Sequence, residues 1–526
     1  MSIRTAFGTG VLCLMISAIA CGHDLATESA SALSGDLAAH RVTSQQLLEA
    51  YEARIARLNP ALHAVIALNP RAMAEARDSD ARRAAGHALG PLDGLPILVK
   101  DNIDIAGLPT TAGSLALSQN VRHVDSTVVR NLRRAGVVIL GRANLSEWAN
   151  IRSEHSTSGW SAVGGLTRNP YMLDRTACGS SSGSAAAVAA GLAAAAIGTE
   201  TDGSISCPSS MNGVVGLKPT VGLVSRTGIV PISHTQDTAG PIARTVRDAA
   251  LLLSAMAGSD PADRATARAD AHRASYLAAL DPHALEGVRL GVAGFLLKNF
   301  TPKTLVVFHR ALSRLEARGA VLVNVDDYHM APIEKHENLV LLTELKADLN
   351  AYLAGSPPAV RTRTLAQLIA FDNTHPREMT WFGQSLFIRA ERTKGLTDPA
   401  YLEARASNLR LAGPEGIDRL LKEHRVVALI SPAQNPAAVI DLVNGDAGLG
   451  AGDSSLPAIA GYPYITVPMG EVQGLPVGLS FIGPKWSEAR LLGFAYAYEH
   501  AAQAFRAPTC APDVRLWHPG RSACGS

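Results

Sequence analysis

The sequence predicts an α/β fold in one large domain, with a largely buried central β-sheet. Three observations carry that expectation. Short apolar runs, such as Ile97-Leu98-Val99 and Val137-Val138-Ile139-Leu140, have the length and composition of strands buried on both faces. Segments of helical periodicity alternate with them, at Thr43 to Leu58 and at Asp125 to Ala135. No strong linker divides the chain, so 526 residues read as one domain, although length alone suggests about three.

The first twenty residues stand apart. Arg4 precedes an apolar run from Ala6 to Ala20, and Ala18-Ile19-Ala20 has the small residues of a cleavage site. That pattern predicts a signal peptide at 1–20 and an exported protein, periplasmic, membrane-anchored or secreted. Cys21 stands where a lipoprotein carries its lipid, which would be the only route to a membrane. Residues 21–42 read as an N-terminal linker and the start of the first helix. Thr43 to Leu58 then places Leu47, Leu48, Tyr51, Ile55 and Leu58 near one face, with Ser44 as cap and Asn59-Pro60 as stop.

Gly94-Leu95-Pro96 introduces the strand ending at Lys100, where polar groups emerge from a sheet. The helix at 125–135 and the strand at 137–141 follow, and Leu145 to Asn150 reads as the start of another helix. Ala185 to Ala196 is nearly continuous small apolar sequence and reads as a buried helix. Residues 257–287 look like a surface segment. A βαβ-like pattern then occupies 288–325, and 330–425 reads as a mostly helical cover over a site, with Trp381 and Phe382 as contributors to an acyl pocket. Tyr464 to Pro468 and Val477 to Gly483 read as strands, and 509–526 as a tail.

Composition excludes several classes. A net charge of +2, with no block of five like charges, argues against nucleic-acid or anionic-membrane partners. No His-Glu-x-x-His, P-loop or Rossmann fingerprint occurs, so no metal or cofactor is called for. Of six cysteines, Cys13 leaves with the signal. Cys510 and Cys524 are able to close the tail in an oxidising compartment. Cys178 and Cys207 read as small buried hydrophobes.

The chemistry concentrates in two Gly-bracketed turns, Cys178-Gly179-Ser180-Ser181-Ser182-Gly183-Ser184 and Gly198-Thr199-Glu200-Thr201-Asp202-Gly203-Ser204-Ile205, with Lys100 upstream. Amide hydrolysis needs a nucleophile, a base, an acid for the leaving amine and donors for the oxyanion. A lysine serves as base only when neutral, which burial achieves by penalising the ammonium form. The bland reading of Lys100 is a surface lysine paired with Asp101. A rival reading takes Gly179-Ser180-Ser181-Ser182-Gly183 as G-x-S-x-G, with Ser181 on a nucleophile elbow. Thr167 to Arg175, with its Pro, Asp and Arg, makes a poor strand leading into such an elbow. No Ser-x-x-Lys pattern occurs.

Gly90 to Asn102, the Ser180 segment, and Gly198 to Pro208 followed by Gly213 to Thr220 together resemble the amidase signature family. The likeness continues through Ala460-Gly461-Tyr462-Pro463 and Leu475-Pro476-Val477-Gly478, so it spans nearly the whole mature chain, with 43–508 as the amidase domain. The resemblance implies the amidase signature fold, a large central mixed β-sheet covered by helices on both faces, with Ser204 as acylated nucleophile, Lys100 as ultimate base and Ser180 as bridging serine behind a cis peptide bond. It implies an oxyanion hole from the backbone N–H groups of Thr201, Asp202, Gly203 and Ser204, with Ser181 in support. Asp202 before Gly203-Ser204 and Ser206 after Ile205 depart from the common Gly-Gly-Ser and Ile-Arg. They, with Pro231 to Pro241 and Leu411 to Asp418, resemble the peptide amidase branch. That branch implies removal of the C-terminal amide from peptide amides. The alternatives are hydrolysis of other small, aryl or fatty amides or esters, an amidotransferase subunit, and an inactive binding lipoprotein.

Overall fold

The computed structural model describes residues 24–446, 452–518 and 524. The expected signal segment, Cys13 and Cys21 lie outside them. Among the described residues the strands are β1 (Val65–Leu68), β2 (Pro96–Lys100), β3 (Val138–Ala143), β4 (Trp160–Ser161), β5 (Gly165–Leu166), β6 (Ala195–Glu200) and β7 (Val215–Lys218). They continue as β8 (Thr238–Ala243), β9 (Arg289–Ala293), β10 (Val321–Val325), β11 (Ala428–Pro432), β12 (Tyr464–Val472) and β13 (Leu475–Ile482).

All but the β4–β5 ribbon form one 11-stranded sheet in the order β1-β3-β2-β6-β8-β7-β12-β13-β11-β9-β10. Its two flanks contain parallel pairs, β3-β2-β6 and β11-β9-β10. The centre, from β6 through β13, is antiparallel. Helices flank the sheet. β2, β3 and β6 are buried at every position, which is why they read as continuous apolar runs rather than alternating ones.

Several expectations are corrected. Ala185 to Ala196 is not one helix. The helix Ser182–Ala190 stops at Gly191 in the left-handed region, and β6 begins at Ala195. Small apolar residues carry no period that separates helix from strand, and only the glycine marks the break. The helix of Ser44–Leu62 carries Pro60 inside its last turn, and Thr43 caps it through a capping box with Gln46. Ser44 instead donates to the Gly94 carbonyl at 2.7 Å. Leu145 to Asn150 forms only a short turn, with Trp148 and Ala149 at φ 51°. Burial wins there: Trp148 packs edge-on against Phe387, with centroids 5.9 Å apart. In the segment read as a linker, Ala30–Ala38 is helical, buries Leu33 and Leu37, and gives the Ala30 and Ser31 N–H groups to Asp248. Tyr276 and Leu285 are buried, so 257–287 is not wholly surface.

The 330–425 region is largely helical. Its longest helix, Ala331–Ala354, supplies lining residues to both cavities described next.

Candidate active site

β2 ends at Lys100, and its side chain is fully buried. Lys100 Nζ lies 2.7 Å from Ser180 Oγ, 2.8 Å from Thr199 Oγ1 and 3.2 Å from the Thr199 carbonyl. Asp101 turns away to Arg142 and Thr111, so the surface pairing with Lys100 does not exist. Burial lowers the Lys100 pKa to about 7, against the opposing pull of the Glu200 and Asp237 carboxylates. A neutral amine has two hydrogens and one lone pair. In that form the two Thr199 acceptors can take the hydrogens, leaving the lone pair for the Ser180 hydroxyl; in the ammonium form Lys100 donates to Ser180 as well.

The Gly179–Ser180 peptide is cis, and the Ser180 carbonyl accepts from the Ser146 N–H at 3.1 Å. Ser181 is fully buried; its hydroxyl donates to the Thr199 carbonyl at 3.0 Å and accepts from the Thr199 N–H at 3.2 Å. A hydroxyl engaged on both sides is a fastener for β6, which speaks against the nucleophile-elbow reading. Gly198 allows it: a Cβ at that position would stand 2.8 Å from Ser181 Oγ.

The second turn leaves β6 after Glu200. The Glu200 carboxylate accepts from the N–H groups of Ile205 at 2.7 Å and Ser206 at 3.1 Å, closing residues 201–204 into a loop. Tyr464 donates to its other oxygen, and Lys218 lies near enough to oppose the rise that burial gives the Glu200 pKa. Gly203 sits at φ 75°, a conformation suited to glycine. The N–H groups of Thr201, Asp202, Gly203 and Ser204 donate to no protein acceptor among the described residues. Ser204 follows, 8% exposed. The Ser181 N–H donates to the Ser204 carbonyl at 3.1 Å, which brings the two serine turns side by side.

Cavities open on both sides of this turn. One, of about 410 Å³, is lined by Asn102, Thr199, Thr201, Ile232, Asp237 and Asp348 among others. The other, of about 540 Å³, is lined by Asp202, Phe295, Tyr328, Glu334 and Ser454 among others. The helix of Ala331–Ala354 contributes to both. Trp381 and Phe382 line neither; Phe382 packs on Trp160 and Arg152 instead.

Sequence reasoning missed three contributors. Thr199 and Glu200 lay inside a motif already singled out, and their polarity at the end of an apolar strand was the available signal. Asp237 accepts from Thr201 Oγ1 at 2.6 Å, and burial raises its pKa to about 6. Cys178 and Cys207 form a disulfide and are not independent hydrophobes, and Cys510 bonds to Cys524. His234, Glu344 and Asp348 gather their ligand atoms within 4.8 Å. Glu344 already accepts from Ser233, Thr235 and Tyr401, and Asp348 from His234, so the group ties the cover helix to the 232–237 loop.

The amidase family pattern matches residues 46–492. A probable amidase of Arabidopsis thaliana is 40% identical over 484 residues, covering 89% of this chain and 88% of that protein. A glutamyl-tRNA(Gln) amidotransferase subunit from Symbiobacterium thermophilum is 35% identical over 488 residues, covering 90% and 96%. Among solved structures, the native peptide amidase from Stenotrophomonas maltophilia superposes with a TM-score of 0.86 at 49% identity, covering 91% of this chain and 98% of that one. With likeness of this extent in pattern, sequence and fold, the chain belongs to the amidase signature family and is a hydrolase acting on amides.

Proposed function

We propose that this amidase removes the C-terminal amide of peptides, releasing ammonia through an acyl-Ser204 intermediate. The observation that carries the mechanism is the fully buried Lys100, held near neutral pKa 2.7 Å from Ser180. Neutral Lys100 takes the Ser180 proton as Ser180 takes that of Ser204, and Ser204 attacks the carboxamide carbon. The four N–H groups of residues 201–204 receive the negative oxygen. The proton returns through Ser180 to the departing nitrogen, ammonia leaves, and water releases the acid by the same relay. Ser181 supports the relay by fixing Thr199, which orients Lys100.

The peptide substrate rests on likeness to the peptide amidase structure and on cavities flanking the turn, with room for chain on both sides. The two disulfides support an oxidising compartment for the mature protein, in keeping with the expected export signal. A second reading, an amidotransferase subunit, is favoured by the Symbiobacterium relative.

Ammonia release by the isolated chain separates them. Release from an amidated dipeptide, abolished by Ser204→Ala, supports the peptide amidase. Activity confined to asparagine, glutamine, or aryl or fatty amides would discard the peptide substrate. Activity that appears only with an added acceptor and partner would favour the amidotransferase.

A further inference from the structure

The Cys178–Cys207 disulfide has a placement that burial alone does not explain. Cys178 stands two residues before Ser180, and Cys207 three residues after Ser204. The bridge therefore joins the two turns that carry the serines. Each half is built into its own turn. Cys178 sits at φ 54°, with its N–H on Thr176 Oγ1 at 3.0 Å and its carbonyl taken by Ser182 Oγ at 2.5 Å. The Cys207 N–H donates to the Gly203 carbonyl at 2.8 Å, closing a turn that contains Ser204. The two turns lead into different helices, Ser182–Ala190 and Ser206–Met211. Among the described residues one backbone hydrogen bond, Ser181 N–H to the Ser204 carbonyl, and the paired bonds of the Ser181 hydroxyl with Thr199 reinforce the covalent tie.

The sulfurs sit in a small apolar cluster with Met172, Met211 and Leu475, closed from outside by Ala511, Val514 and Trp517 of the C-terminal tail. That tail has its own bridge, Cys510–Cys524. No wall of either cavity is made by Cys178 or Cys207.

We propose that the Cys178–Cys207 bridge is a positioning element for acyl transfer: it holds the Ser180 turn against the Ser204 turn, and the enzyme reaches full rate only with the bridge closed. The proposal rests on the roles given above to Ser180 and Ser204. A relay through two hydroxyls depends on their separation, and a displacement of about 1 Å at reacting groups costs on the order of 100-fold in rate. Opening the bridge removes no side chain that lines either cavity, so kcat falls by much more than KM changes. A dithiol reductant performs the opening. The S–S bond breaks, each sulfur gains one electron and one proton, and the dithiol leaves as its cyclic disulfide. The consequence is an amidase that idles under reducing conditions and switches on when oxidised.

The test uses the oxidised full chain carrying Cys510→Ser and Cys524→Ser, so that only one of the two bridges responds. Kinetics on an amidated dipeptide are measured before dithiothreitol, after it, and after reoxidation. Thiol alkylation with mass spectrometry reports the state of residues 178 and 207, and circular dichroism reports folding. The proposal expects a fall in kcat of about 10- to 100-fold on opening, little change in KM, and recovery on reoxidation. Cys178→Ser/Cys207→Ser in the same background should start at the low kcat and ignore the reductant. Full kcat with both thiols mapped free, or full kcat in the double serine variant, overturns the proposal. Ser204→Ala is run alongside. Its retention of activity would overturn the catalytic reading itself, whereas its inactivity with a redox-insensitive parent overturns the positioning role alone.

Discussion

Thr199→Val tests the geometry around the base without touching any proposed reacting group. The Thr199 hydroxyl accepts from Lys100 Nζ at 2.8 Å and from Asn102 Nδ2 at 2.9 Å, all within a buried site. Valine has nearly the same shape and no acceptor. Two hydrogen bonds worth about 0.5–1.5 kcal/mol each disappear, and the Asn102 amide is left as a buried unpaired donor costing a further 1–3 kcal/mol or so. With the packing retained, a stability loss of roughly 2–6 kcal/mol follows. The kinetic effect follows from the same contact. Lys100 keeps the Thr199 carbonyl and Ser180 but loses the acceptor that fixes its rotation, so kcat should fall about 10- to 100-fold with KM little changed. Thr199→Ser keeps the hydroxyl and serves as control. Denaturant unfolding and steady-state ammonia release supply the two readings. A valine variant with the kcat of the serine variant would refute the orienting role of Thr199.

Three further outcomes are expected. The acid limb of kcat/KM should have its midpoint near the Lys100 value of about 7, with activity rising as the amine loses its proton. Asp237→Asn removes a carboxylate that raises this value and should move the midpoint to lower pH; an unmoved midpoint contradicts the assignment. Burial takes the Lys100 ammonium from 10.5 to about 7, so the wild-type fold is penalised by roughly 4–5 kcal/mol at and below pH 7, and less as pH rises toward the unfolded value. The Tm of Lys100→Met relative to wild type should therefore decline between pH 7 and 10, and a flat difference would count against a buried neutral lysine. Asp101→Ala removes the carboxylate paired with the buried Arg142 guanidinium and should cost about 3–5 kcal/mol in urea unfolding; a loss below about 1 kcal/mol would show that the Ile103 and Leu108 carbonyls and the Thr110 hydroxyl suffice to hold Arg142.

Much of the fold could be read where physics writes a clear period or a clear interruption. β2, β3, β12 and β13 announced themselves as apolar runs between turn residues, and the βαβ-like pattern of 288–325 is present as β9, the Pro302–Ala317 helix and β10. The stretch from Ser182 to Glu200 could not be read in the same way, because alanine packs equally well on a helix face and in a strand. The left-handed turn at Trp148 and Ala149 depends on a distant partner, Phe387, which no local pattern reveals. In the site, the expectations at Lys100, Ser180 and Ser204 came from the resemblance of their segments to the amidase signature family, since Lys100 taken alone reads as a surface lysine. Thr199, Glu200 and Asp237 were not, since their importance comes from what they touch across the sheet. The pairing of Cys178 with Cys207 was equally hidden, because two buried cysteines read alike whether bonded or free.

The most direct measurement is the site of covalent labelling by a serine-directed fluorophosphonate, mapped by peptide mass spectrometry. The account predicts one adduct, on Ser204, formed faster as pH rises through about 7 and lost in Lys100→Ala. An adduct on Ser181, or undiminished labelling of Ser204 without Lys100, would contradict it.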